Sequence, residues 1–160
     1  NPLLQMSPIE AAKVVIAHVQ DGVDIARKHH LPEAIINFIA THHGTSLTRY
    51  FYNTYVNAHP EEEVDKSLFQ YPGPKPATKE GAILMMADAV EARSRSLSTF
   101  TEESISAAVD QMIDQQVADG QFSETPLSFK DVEDIRRVFK NRLISINHHR
   151  ITYPTINKNA

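Results

Sequence analysis

Cysteine is absent from these 160 residues. Disulfides and thiolate metal sites are therefore excluded, and any metal must be held by His, Asp or Glu. No apolar run approaches the roughly 20 residues that a membrane span needs, and no signal-peptide pattern opens the chain. Basic charge is not in excess: 16 Lys and Arg stand against 20 Asp and Glu, a net charge of -4 with His neutral. That argues against a nucleic-acid polymer as partner, because its binders carry a basic patch or stripe. A small phosphate-bearing ligand held by a few local cations stays compatible. Nothing reads as a strand, and there is no internal repeat or low-complexity segment. What is present, 41% hydrophobic and 22% charged residues, suits one globular domain with a real core. The chain opens at Asn1-Pro2 without Met, which reads as a piece of something longer.

The patterning is helical nearly throughout. Ser7-Pro8-Ile9-Glu10 is a helix start, with Ser7 as N-cap, Pro8 at the first helical position and Glu10 closing a capping box. This helix is predicted to run to about His29. A second starts near Pro32 and ends at His42-His43, with Gly44 terminating it. A third, rich in aromatics, spans Thr48 to Asn57. The run Tyr71-Pro72-Gly73-Pro74-Lys75-Pro76 must be a loop. Thr78 then caps a helix over Lys79 to Leu97, and helices over Glu102 to Asp119 and Phe129 to His148 follow, the last capped by Ser128. The fold class is all-α.

Four potential metal ligands sit in apolar stretches: His18 in VVIAHV, His42 and His43 in FIATHHG, and Asp88 in ILMMADAV. Imidazole and carboxylate suit manganese, iron and zinc alike, and groups this polar are costly to bury without a partner. Each has an alternative. His18 suits a core histidine satisfied by a backbone carbonyl. Asp88 suits a buried ion pair with an Arg. His42 and His43 suit a surface pair favoured by the dipole at a helix C-terminus. Lys75 in the proline-rich loop and Arg93 on the Asp88 helix are candidate phosphate contacts. Tyr71 and Tyr153 each precede a Pro and are candidate base-stacking rings. Packing and plain solvation are their alternatives. His29, His30 and His148 read as solvated helix ends, and His59 as part of a proline turn.

The segments HVQDGV, THHGTSLTRYFY, FQYPGPKPATKEGAILMMADAVEARSRSL, DGQF and NHHRITYP resemble the membrane-anchored seven-transmembrane-receptor HD hydrolases. These are bacterial phosphodiesterases that degrade cyclic di-AMP. The resemblance runs from about Asn1 to Pro154. It implies an HD-superfamily helical domain over 1–154, with 155–160 as a tail, and a centre of two divalent metals (manganese or iron, with zinc also suitable). It assigns His18, His42, His43 and Asp88 as ligands. Tyr71, Lys75, Arg93, His149, Arg150 and Tyr153 become candidate substrate contacts, with cyclic di-AMP as the partner.

The family's ligand order begins with a His and a His-Asp dyad, and no His-Asp dipeptide occurs in the chain. The resemblance thus makes these residues the C-terminal portion of a catalytic domain, without its N-terminal metal-binding helices. The expected activity is hydrolysis of cyclic di-AMP to the linear dinucleotide by the parent protein, at the cytoplasmic face of the membrane. The fragment itself is expected to be soluble and inactive, touching the membrane only through upstream helices. An inactive cyclic-dinucleotide sensor and a plain helical scaffold are the competing readings. A core face left open would also favour association with a second copy.

Overall fold

The computed structural model describes residues 2–148. Six α-helices follow one another: α1 (Pro8–Lys28), α2 (Glu33–Thr41), α3 (Arg49–Ala58), α4 (Lys79–Arg95), α5 (Glu102–Ala118) and α6 (Phe129–His148). Short 3-10 turns occupy Pro2–Gln5 and Lys66–Phe69. No strand forms among the described residues; Leu47 and Gln70 make one isolated antiparallel bridge. The all-α expectation holds. No helix of the described residues is long and apolar enough to cross a membrane.

The caps explain most boundaries. Ser7 and Glu10 form the reciprocal capping box that opens α1. The Thr78 hydroxyl accepts from the Gly81 amide at the start of α4, and Ser128 accepts from the Asp131 amide at the start of α6. One end differs from expectation: α4 stops at Arg95 rather than Leu97. Ser96 donates its hydroxyl to the Arg93 carbonyl, offering the backbone a local bond that competes with further helix.

Two packing centres result. Met86, Val90, Val109, Ile113 and Ile135 close a core between α4, α5 and α6, with Phe122 and Phe139 against it. Val23, Ala26 and Ile36 join α1 to α2, with Ile39 and Ala40 alongside. Small residues bring these two helices close: a Cβ on Gly22 would meet the Ile39 side chain at 3.0 Å. α3 packs on α1, and α2 against α4. Phe69 is fully buried beneath the rings of Tyr52 and Tyr55. The Thr48 amide and hydroxyl both donate to the Phe69 carbonyl, and the Tyr71 amide donates to that of Ser46. This clasp lays Tyr71 beside the segment that follows α2.

Candidate metal centre

His18 projects from α1, His42 caps the C-terminus of α2, and His43 follows it. One ring nitrogen from each lies within 4.8 Å of the others. The His42 Nδ1 donates to the Ile39 carbonyl at 2.6 Å, and the His18 Nδ1 to the Val15 carbonyl. A carbonyl oxygen only accepts, so Nδ1 carries the hydrogen in each neutral ring and Nε2 carries the lone pair. The two Nε2 atoms face one another at 3.3 Å. Two lone pairs at that distance repel unless a proton or cation lies between them. Backbone carbonyls that fix the outer nitrogen are also the usual support of a metal-bound imidazole. The donor set therefore fits a divalent cation.

His43 is held neutral. Burial first, then the neighbouring His42 and His18, pull its pKa down from the ordinary 6.5 to about 3. The lone pair of its unprotonated ring nitrogen is thus free for a metal at neutral pH. Tyr71, itself 7% exposed, stacks on the His43 ring at 4.4 Å and 21°. Burial, then the charge of Asp88, push its phenol up to about 12, so it keeps its proton. The Asp88 carboxylate stands 3.8 Å from the His43 Nδ1, too far for a hydrogen bond.

The structure brings His18, His42 and His43 together and sets Asp88 beside His43 alone. It corrects one premise. Apolar flanks suggested buried ligands, yet His18 and Asp88 are exposed, while His42 and His43 are half-buried. The reason is that the flanks Val14 and Leu84 are themselves exposed, at 52% and 41%. The ion-pair alternative for Asp88 is not met on its own helix: Arg93 donates to the Ser96 hydroxyl and Arg95 pairs with Glu91.

Two grooves flank the imidazoles. One of about 390 Å³ is apolar, lined by Ile35, Phe38, Ile39 and Leu84. The other, about 470 Å³, runs from His42, His43, Tyr71 and Asp88 past Arg93. Lys75 lines neither; its ammonium reaches the Ser123 hydroxyl instead. His149, Arg150 and Tyr153 lie outside the described residues.

Sequence reasoning missed Gln121, which is 2% exposed. Its Oε1 accepts from the Thr45 amide at 2.9 Å, and its Nε2 donates to the Thr45 hydroxyl. Gly44 between them adopts φ +50°, and a Cβ there would lie 2.5 Å from that oxygen. Only glycine lets the histidine-bearing loop dock so closely. The DGQF segment was the signal, but nothing local assigned it a partner 76 residues away.

Histidines from α1 and the end of α2 thus converge beside Asp88 of α4, in a group that could hold a metal ion. The chain belongs to the HD domain family, whose pattern residues 4–93 match. It is 37% identical over 158 residues to the cyclic-di-AMP phosphodiesterase PgpH of Bacillus subtilis, covering 99% of this chain and 22% of that protein. The PgpH of Listeria monocytogenes is 36% identical over 154 residues, covering 96% and 21%. The chain thus spans about a fifth of the length of these relatives. It also matches the crystal structure of the L. monocytogenes PgpH HD domain in complex with cyclic-di-AMP, with a TM-score of 0.88 and 35% identity, covering 96% of this chain and 71% of that one.

Proposed function

We propose that the protein carrying this chain is a metal-dependent phosphodiesterase that hydrolyses cyclic di-AMP to the linear dinucleotide. The observation that supports this most is the convergence of His18 with His42 and His43, which line a groove, in a chain similar to two cyclic-di-AMP phosphodiesterases. Two divalent cations, manganese or iron with zinc also suited, would supply hydroxide at neutral pH and offset charge growing on the phosphate. His18, His42 and His43 would hold one cation, and Asp88 would offer its carboxylate to the other. The set is completed by a His and a His-Asp dyad that these residues do not contain. Arg93, on the groove wall, would bind the phosphate. Tyr71 fixes the plane of His43 by stacking and keeps a protonated hydroxyl beside it. The parent protein holds this domain at the cytoplasmic face of a membrane.

The test is turnover of cyclic di-AMP by the manganese-loaded full-length protein, with and without His42→Ala. The substitution is expected to cost more than the ~10–100-fold loss typical of outer-shell partners. Full activity in the variant would overturn the assignment, and binding without turnover in the wild type would mark an inactive sensor.

A further inference from the structure

The larger groove has two arginines, and they stand apart. Of the residues that line it, only Arg49 and Arg93 carry permanent positive charge. Arg93 lies on α4 beyond Asp88, whereas Arg49 opens α3 and pairs with Asp119, the C-cap of α5. A short connection joins α4 to α5, so the two run antiparallel. Their register is set where the Gln116 Nε2 donates to the Met85 carbonyl at 3.2 Å. Asp119 therefore falls about one turn from Met85 toward the start of α4. Arg93 lies the other way, about 12 Å of helix past Met85. Asp88, with His43 beside it, falls between these levels. Each arginine is also tied outward, Arg93 to the Ser96 hydroxyl and Arg49 to Asp119.

Arg49 is held in place relative to the imidazoles. One oxygen of Asp119 accepts from the Arg49 Nη2, and the other from the Gln115 Nε2 at 3.1 Å. The same turn grips the histidine-bearing loop, because Gln121 accepts from the Thr45 amide. Between those points, Ser46 donates its amide and hydroxyl to the His43 carbonyl, and Thr48 donates both of its own to Phe69. A guanidinium offers five N–H donors in a rigid fork. Asp119 engages one nitrogen of that fork, and the Arg49 side chain is 44% exposed.

We infer that Arg49 is the contact for a second phosphate and makes the groove selective for ligands with two phosphodiesters. One phosphate cannot engage two arginines held apart in this way. With the scissile phosphate at the imidazoles and Arg93, the other diester of a cyclic dinucleotide meets the donors of Arg49 that Asp119 leaves open. Such charge-assisted bonds are roughly twice as strong as neutral ones. Asp119 is a positioning residue that orients the fork. The inference rests on the phosphodiesterase reading.

The experiment measures kcat, KM and manganese affinity in the full-length protein. Arg49→Gln should raise KM for cyclic di-AMP by about tenfold, as expected for a lost hydrogen bond to a charged group, with kcat nearly kept. Arg49→Lys should recover most of this. With bis(4-nitrophenyl) phosphate, which has one diester, the KM change should be about fivefold smaller. Asp119→Asn breaks the same ion pair but leaves the cation, so it should raise KM less than Arg49→Gln does. Manganese affinity should be alike in all three variants. Equal KM values for Arg49→Gln and Asp119→Asn would mark the pair as a structural latch and overturn the inference. An unmoved KM in Arg49→Gln, or manganese affinity that falls along with it, would do the same. In each of these cases a wild type that hydrolyses cyclic di-AMP leaves the phosphodiesterase reading intact. A wild type that hydrolyses neither substrate overturns both.

Discussion

The two halves of the molecule treat their polar groups in opposite ways. In the half built from α4, α5 and α6, charge is satisfied internally. Arg136, only 13% exposed, reaches Asp110, Asp114 and Glu133, and Lys140 completes the set at Asp110. In the half built from α1, α2 and α3, three imidazoles turn their nitrogens toward one another, and the Asp88 carboxylate of α4 stays 3.8 Å from the nearest of them, His43. The first arrangement closes a structure around Ile113 and Val109. The second leaves a need that a cation from outside can meet. A polar cluster that answers itself contributes stability; one that does not is suited to binding.

Substitutions can pull this contrast apart. The largest effect is expected from Ile113→Ala in the closed half. Its side chain is fully buried, and the cavity should cost about 3 kcal/mol, read as a shift in the urea midpoint. Manganese affinity of the folded protein should barely change. A loss of binding as large as that of His42→Ala would show that the halves are not separable in this way.

A smaller effect should come from Gly44→Ala. The left-handed backbone there costs a residue with a Cβ about 1–2 kcal/mol, and the methyl group would collide with Gln121. Here stability and manganese affinity should fall together, in thermal melts and metal titration respectively. Unchanged metal affinity would mean that the loop holds its histidines without the Gln121 anchor.

Acid should distinguish the halves most finely. The folded His43 resists protonation until about pH 3, whereas the unfolded chain takes up its proton near 6.5. Stability from this group is therefore fully present above pH 6.5 and falls as the pH drops from there toward 3. Asp110 acts later. Burial raises its pKa, but hydrogen bonds and charge from Lys140 and Arg136 outweigh this and hold it below the ordinary 3.8. Its contribution is present above that value and is lost as pH falls through its lower folded one. Denaturation across a pH series should lose the first window in His43→Gln and the second in Asp110→Asn. Identical profiles for wild type and His43→Gln would contradict the neutral, buried imidazole.

Much of the fold was legible in the sequence because helix starts are local. Ser7 with Glu10, Thr78 with Gly81 and Ser128 with Asp131 each involve residues three apart, and each was readable as a cap. The end of α4 was less so, since a competing bond from Ser96 leaves no strong pattern. The ligand set stood out as residue types, but its assembly did not. His18 and His42 meet across 24 residues only because α1 and α2 pack through Gly22 and Ile39. Apolar flanks also overstated burial, because Val14 and Leu84 face outward beside the ligands they flank.

Adjacent residues of one corner belong to different halves. Phe122 enters the α4–α6 core, while Gln121 reaches back to the loop that carries His42 and His43. Any fluctuation that lifts this corner withdraws a ring from one half and a tether from the other in the same event. The loop's motion is therefore coupled to the breathing of a core it does not belong to. The hold on the imidazole-bearing loop thus runs through the junction of α5 and α6.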